Sequence, residues 1–277
     1  MFFLLFSFAV AESLVEYINN KPGCTWKARE YPEKFLNRLN LGLRASEINL
    51  EGTKYVKNED LPENFDSRDK WDILPVRDQV SCGSCWAFAT AETAGNRMIV
   101  AGCGVGHLAP QDLVSCDPLD AGCNGGNTLL AWTHMKYTGI TTEECMPYVS
   151  GNASVPICAT VCADNSTIVR YKASDFKHVT ADNMMEEVYK NGPYVTNFQV
   201  YRDFKSYSSG VYQQITGELL GGHAVMLIGY GTEDSVPYWI VQNSWGDDWG
   251  EGGMFRIIRG TNECGIECNC YAPTFTC

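Results

Sequence analysis

Gln79-Val80-Ser81-Cys82-Gly83-Ser84-Cys85-Trp86 is the stretch on which the reading of this chain turns. Ala87-Phe88-Ala89-Thr90-Ala91 follows directly, apolar on nearly every side. Ser84 to Ala101 is therefore predicted to be a buried helix with Ser84 as its N-cap. Cys85 then lies at the positive end of the helix macrodipole, where an anion is favoured. A thiol is a weak nucleophile until a neighbouring base activates it. His223, within Gly221-Gly222-His223-Ala224-Val225, is the candidate base; it can hold the thiolate as an ion pair and later protonate a leaving amine. Asn243, within Asn243-Ser244-Trp245-Gly246, is the candidate to accept from the other ring N–H and fix the tautomer. The Gln79 side-chain amide and the Cys85 backbone N–H are candidates for an oxyanion hole.

Cys82-x-x-Cys85 also fits two other motifs by spacing alone. A redox pair belongs in a βαβ context, which the surrounding sequence lacks, and a zinc site needs a second Cys-x2-Cys, which does not recur. The remaining histidines, His107, His134 and His178, have no motif around them and read as surface or structural.

Outward from this centre the chain changes character twice. Residues 12–60 are rich in charge, contain a single Cys and include the amphipathic stretch Pro32 to Leu43. Leu61-Pro62 opens a region rich in Trp, Cys and Gly, so a boundary is expected near Leu61. Beyond the first helix, Pro110 to Val114 is predicted as a short helix with Pro at its start, and Thr128 to Lys136 as another. Asp182 to Lys190 is a further helix, stopped by Asn191-Gly192-Pro193. Strands are predicted at Tyr194–Tyr201, Ala224–Tyr230, Tyr238–Gln242 and Met254–Ile258. A helical half thus precedes a strand-rich half, an α+β pattern with a cleft expected between the halves.

The bulk numbers fit a soluble protein with a sizeable core. Of 277 residues 45% are hydrophobic and 19% charged, too few charges for a disordered chain. Residues 12–60 balance their charges, so residues 61–277 carry the whole net charge of -12, a surface that repels nucleic acid and anionic membrane. Met1 to Ala11 is an apolar run of about half the ~20 residues that span a bilayer. It ends in Ala9-Val10-Ala11, a small-x-small cleavage pattern, though no Lys or Arg precedes it. Thirteen cysteines imply the secretory path and several disulfides, and the odd number suits one thiol kept for chemistry. Asn152-Ala153-Ser154 and Asn165-Ser166-Thr167 are acceptor sequons for N-glycans.

These residues resemble the papain family of cysteine proteases and, within it, the cathepsin B group. The shared marks are Cys82-Gly83-Ser84-Cys85-Trp86, Leu61-Pro62 with Phe65-Asp66-Ser67-Arg68, Cys123-Asn124-Gly125-Gly126, Gly210-Val211-Tyr212-Gln213, Tyr238-Trp239 and Cys264-Gly265-Ile266-Glu267. The resemblance implies a two-lobed fold, a helical left lobe and a β-barrel-like right lobe with the cleft between. It implies a cysteine endopeptidase made as a zymogen, with residues 1–11 as signal peptide, 12–60 as inhibitory propeptide and 61–277 as the protease domain. Thr25-Trp26-Lys27-Ala28 is similar to the short cathepsin B type of propeptide, which would lie along the cleft in reverse. Implied partners are protein and peptide substrates, the propeptide and cystatin-like inhibitors, acting on a monomer without cofactor or metal, in a lysosome, a lysosome-like vacuole or outside the cell.

Residue by residue, the resemblance implies Gly125 and Gly126 along S1, and Trp245 over the Asn243–His223 contact. It implies Thr128, Asn197 and Ala224 on the walls of S2 with Asn269 at its base, where cathepsin B has a glutamate that accepts arginine. Glu267 is a worse-placed substitute for that glutamate. Implied disulfides are Cys82–Cys123, Cys116–Cys158 and Cys145–Cys162. Pairing of Cys103, Cys264, Cys268, Cys270 and Cys277 stays open, between one or two disulfides pinning the C-terminus and a metal site. Two departures stand out. Val80 replaces the usual glycine after Gln79, which is strained if that position needs a positive φ. Only Met146 to Ile157 separate Cys145 from Cys158, where cathepsin B carries a long occluding loop with two histidines. An open primed side and internal cleavage are expected. The alternative class is a papain-like binding or regulatory protein that has lost catalysis; such homologues usually lose the nucleophile or the base, and this sequence keeps Cys85, His223, Asn243 and Gln79.

Overall fold

The computed structural model describes residues 12–43, 48 and 60–277. The expected leader, residues 1–11, and residues 44–47 and 49–59 of the expected propeptide lie outside them. Helix α1 (Leu14–Asn20) opens with a capping box: Ser13 Oγ accepts from the Glu16 N–H while the Glu16 carboxylate accepts from the Ser13 N–H. Strand β1 (Trp26–Ala28) and the one-turn helix α2 (Glu33–Leu36) follow. The stretch Pro32 to Leu43 is thus helical only over that turn, and it reaches Leu41–Leu43 without further helix.

After the short strand β2 (Phe65–Asp66) comes the central helix α3 (Cys85–Val100), buried from Cys85 through Met98. Its burial on all faces is what its Ala- and aromatic-rich composition predicts. Helices α4 (Pro110–Cys116), with Pro at its first turn, and α5 (Thr128–Tyr137), capped by Asn127 Oδ1 on the Leu129 N–H, pack against it. Trp86, Leu113, Trp132 and Met135 form the core of this lobe.

The second lobe is a sheet. Strand β3 (Asp175–Val179) precedes helix α6 (Met184–Asn191), which starts two residues later than predicted because Ala181–Asn183 form a 3-10 turn. Strands β4 (Tyr194–Tyr201), β5 (Tyr207–Tyr212), β6 (Leu219–Glu233), β7 (Val236–Gln242), β8 (Met254–Ile258) and β9 (Cys270–Thr274) complete it. The order is β1-β5-β8-β7-β6-β4-β9-β3, with β2 on β6. Pairs are antiparallel except β5 with β8. Strand β6 is far longer than the expected Ala224–Tyr230, because Leu219 to His223 keep pairing with β4 through Gly221-Gly222, residues of low strand propensity. The barrel core is aromatic: Phe198, Phe204, Tyr207, Tyr212, Trp245, Trp249 and Phe255 are all fully buried.

Four disulfides occur among the described residues: Cys82–Cys123, Cys103–Cys277, Cys116–Cys158 and Cys145–Cys162. Cys277 is thus pinned to the loop just past α3, and Cys24, Cys85, Cys264 and Cys270 are thiols. No helix among these residues is long and apolar enough to cross a membrane.

Candidate active site

Cys85 is the first residue of α3, and His223 lies mid-strand in β6, so the two lobes bring them to one cleft. Ser84 occupies the N-cap position but makes no capping bond; its hydroxyl pairs instead with the Tyr148 hydroxyl at 3.1 Å. Cys85 Sγ accepts from the Ala224 N–H at 3.5 Å, one residue past His223. His223 Nε2 lies 2.7 Å from Asn243 Oδ1, and the Ser244 N–H donates to the same oxygen at 2.8 Å. Two donors on Oδ1 fix the amide's orientation, so Nε2 carries the proton and Nδ1 keeps its lone pair. Nδ1 is buried without a hydrogen-bond partner. Trp245 stacks on the imidazole at 4.8 Å and Phe198 meets it edge-on, which keeps the Asn243 contact dry.

Gln79 Oε1 accepts from Ser244 Oγ at 2.7 Å, which orients the side-chain amide. One Nε2–H donates to the Cys82 carbonyl at 2.8 Å and the other to the Asn40 carbonyl at 3.1 Å. Asn40 belongs to the N-terminal segment, and Trp245 Nε1 also donates to its carbonyl, at 3.3 Å. Gly42 follows in the cleft. Its carbonyl accepts from the Gly126 N–H at 2.8 Å, and its backbone N–H donates to the Cys85 sulfur. A Cβ on Gly42 would stand 2.3 Å from the Gly83 carbonyl oxygen and 3.0 Å from Cys85 Sγ, so only glycine passes here. Leu43 pairs antiparallel with Gly222. Residues 40–43 thus occupy the cleft at the thiol.

This covering sets the electrostatics. Burial pushes the Cys85 thiol up to about 11, against the opposing pull of the Ala224 and Gly42 N–H groups. Burial lowers His223 to about 4, against the opposing effect of Asn243. With the segment seated, the pair is a neutral thiol and a neutral imidazole, not the ion pair the residue types suggest.

The expected S1 glycines act for different reasons. A Cβ on Gly125, at φ 105°, would meet the Gly42 carbonyl at 2.8 Å, so it admits the peptide in the cleft. A Cβ on Gly126 would lie 2.5 Å from the Trp86 ring, so its bareness serves packing. Asn197 Nδ2 donates to Thr128 Oγ1 at 2.8 Å, Ala224 faces Asn197 across the β4–β6 pair, and all three are buried. Asn197 Oδ1 and Asn269 Nδ2 are buried without hydrogen-bond partners. Asn269 immediately precedes β9, whose first residue pairs with Thr196. Glu267 is a correction. Residues 266–268 form a turn, not a strand, and the Glu267 carboxylate accepts from Trp239 Nε1 and the N–H groups of Gly260 and Asn262. It is a structural acceptor inside the barrel. Asn152 and Asn165 are exposed.

Val80 adopts φ 53°, the left-handed region that a β-branched residue avoids. The Asp78 carboxylate takes its N–H at 2.8 Å. One contributor to this turn carried no sequence signal beyond its place in Cys145-Met146-Pro147-Tyr148: the Tyr148 hydroxyl donates to the Gln79 carbonyl at 2.8 Å.

Residues 61–274 match the model of the papain family cysteine proteases. Cathepsin B-like CP2 of Giardia intestinalis is 46% identical over 230 residues, covering 80% of this chain and 77% of that protein. Cathepsin B-like cysteine proteinase 4 of Caenorhabditis elegans is 36% identical over 301 residues, covering 92% and 90%. Among solved structures, procathepsin B S9 from Trypanosoma congolense superposes with a TM-score of 0.84 at 34% identity, covering 96% of this chain and 98% of that one. Digestive procathepsin L2 from Tenebrio molitor larval midgut gives a TM-score of 0.73 at 31% identity, over 91% and 84%. With a thiol heading the central helix of one lobe and a histidine–asparagine pair on the sheet of the other, this chain belongs to the papain family of cysteine proteases, in its cathepsin B-like group.

Proposed function

We propose that the chain is the secreted, inactive precursor of a cysteine endopeptidase, in which residues 12–60 are an inhibitory propeptide and residues 61–277 the protease. The observation that carries this reading is the seat of Gly42, bonded through its N–H to the Cys85 sulfur and through its carbonyl to Gly126. Once the segment leaves, water and substrate re-enter the cleft, and His223 Nδ1 takes the Cys85 proton. The thiolate attacks a peptide carbonyl carbon, forming a C–S bond. The carbonyl oxygen takes up the negative charge and is held by Gln79 Nε2 and the Cys85 N–H. The imidazolium protonates the amine as the C–N bond breaks, leaving an acyl-enzyme. A water then gives its proton to His223, attacks the thioester and frees the acid and the thiol.

Internal cleavage is favoured because the segment Met146 to Ile157 has no histidine to receive a terminal carboxylate. Thr128, Asn197, Ala224 and Asn269 form an uncharged S2. Trp245 shields the histidine–asparagine pair. The same reading takes Asn152 and Asn165 as glycosylated, cystatin-like proteins as inhibitors, the mature enzyme as a monomer, and a lysosome, vacuole or the exterior as its place of action.

The test is acid incubation of the recombinant precursor, read by mass spectrometry and peptidase assay. The expected product begins near Leu61 and is active, while Cys85→Ala stays intact and inert. An active enzyme that still carries residues 12–57 covalently overturns the zymogen reading, and activity in Cys85→Ala overturns the nucleophile. Release of C-terminal dipeptides alone, with denatured protein otherwise uncut, overturns the endopeptidase.

A further inference from the structure

The turn Asp78–Ser81 carries the oxyanion donor and is strained at Val80. Such strain persists only where the surroundings hold it. Four of the contacts that hold this turn bear on its strained peptide and its neighbours. The Asp78 carboxylate takes the Val80 N–H, and the Gln79 N–H donates to the Ser244 carbonyl at 2.9 Å. The Ser81 N–H donates to the Gly151 carbonyl at 3.0 Å, and the Tyr148 hydroxyl donates to the Gln79 carbonyl. The last two come from the short segment that follows Cys145. Gly151 lies so close that a Cβ there would stand 3.2 Å from the Val80 side chain.

We propose that Tyr148 is a positioning residue for Gln79, and that with the Gly151 carbonyl it clamps the strained oxyanion turn in its reactive geometry. The hydroxyl has one proton and two lone pairs. Its proton goes to Gln79, so the Ser84 hydroxyl donates to it, and Tyr148 bridges the oxyanion residue to the residue before the nucleophile. The ring is braced edge-on against Phe88 of α3 at 4.7 Å, and the Tyr148 N–H donates to the Glu143 carboxylate at 2.9 Å. Glu143 in turn pairs with Arg77 at 2.7 Å. Burial raises the Tyr148 hydroxyl to about 12, so it remains a donor wherever the enzyme works. In the covered state the N-terminal segment braces the turn further: Asn40 Nδ2 donates to the Ser81 carbonyl at 2.7 Å, and Arg38 pairs with Asp78 at 3.0 Å. Both contacts depart with the segment, and the Tyr148–Gly151 clamp stays.

This inference rests on the reading of Gln79 as the oxyanion donor, and a double-mutant cycle on the activated enzyme separates the two. Active sites are counted by epoxide labelling of Cys85, so misfolded protein does not enter the rates. Tyr148→Phe is expected to lower kcat about tenfold with KM within about twofold, a fraction of what an oxyanion donor itself is worth. In a Gln79→Ala background the same change is expected to cost less than about twofold, the non-additivity of residues acting as one unit. Val80→Gly, which removes the strain, is expected to restore about threefold to Tyr148→Phe. Equal losses in both backgrounds, a change confined to KM, or no loss overturns the role of Tyr148 while leaving a crippled Gln79→Ala to stand for the oxyanion hole. A fully active Gln79→Ala overturns both. If Tyr148→Phe yields no labelled enzyme, the Val80→Gly/Tyr148→Phe pair decides: recovery of labelled, slow enzyme supports the clamp, and failure to recover it overturns strain relief as the reason.

Discussion

Every disulfide among the described residues ties down the helical lobe or anchors the C-terminal tail to it, whereas the strand lobe keeps Cys264 and Cys270 as thiols. The difference follows from how each lobe is built. Between Tyr137 and Asp175 the helical lobe has no helix or strand beyond one 3-10 turn at Ser150–Asn152, so few ladder bonds hold it and cross-links close it instead. The strand lobe has a continuous ladder and a cluster of rings. Phe204 alone meets Phe198, Tyr207, Tyr212, Trp245, Trp249 and Phe255 within ring-contact distance. One lobe constrains its unfolded state; the other gains from burial in its folded state. The cleft needs both, because one lobe supplies Cys85 and the other His223.

The largest expected effect tests the ring cluster. Phe204→Ala should lower stability by about 4 kcal/mol, read by denaturant unfolding, with the loss of exchange protection concentrated in β4 to β8. Next comes the cross-linked lobe. Joint replacement of Cys116 and Cys158 by serine opens a loop of sequence separation 42 and should cost about 3 kcal/mol. Here the rise in amide exchange should fall on residues 139–175. If either variant loosens the opposite lobe first, the division of labour is wrong.

A third prediction addresses the seam. Glu92 of α3 is buried, and its Oε2 accepts from Gln242 Nε2 of β7 at 3.2 Å while Oε1 has no partner. Burial raises its pKa to about 7; Arg77 and the Gln242 bond oppose the shift, and Glu143 adds to it. Since the folded value lies above the unfolded one, the protonated form is favoured in the native state. Its contribution is complete below the unfolded value and is lost as pH rises through the folded one. Stability should fall by roughly 2 kcal/mol between about pH 5.5 and 7.5, and Glu92→Gln should flatten that decline, as followed by thermal unfolding across pH. An unchanged slope in the variant would remove Glu92 as the cause.

The smallest effect concerns specificity at the edge of the strand lobe. A carboxylate is a far better partner for a buried guanidinium than an amide is. Asn269→Glu should raise the ratio of kcat/KM for arginine over leucine at P2 about tenfold, ~1.4 kcal/mol. A ratio that does not move takes Asn269 out of S2.

Much of this architecture was legible because its signals are local. The residues around Cys85 announce a buried helix by composition, and β-rich runs set off by glycines announce strands β4, β7 and β8. Val80 stands where a glycine is usual, and the condition under which that is strained, a positive φ, is met at 53°. What escaped depends on partners distant in sequence. Strand β1 exists because Trp26 pairs with Gly210 and packs on Tyr212 at 5.1 Å. Strands β3 and β9 exist because they pair with each other. Glu267 looked like a strand neighbour of Asn269, and only the turn at residues 266–268 shows that its carboxylate faces inward. The Tyr148 hydroxyl has no periodicity or motif to betray it, since its role lies in one bond across the lobe.

Gly42 carries a genetic consequence. Because a single methyl group there would collide with the Gly83 carbonyl, any substitution unseats the cleft-filling residues while the Trp26 anchor on β5 is left untouched. On the zymogen reading proposed above, a missense allele at this codon would act as a gain of function, releasing proteolysis inside the compartment that makes the enzyme.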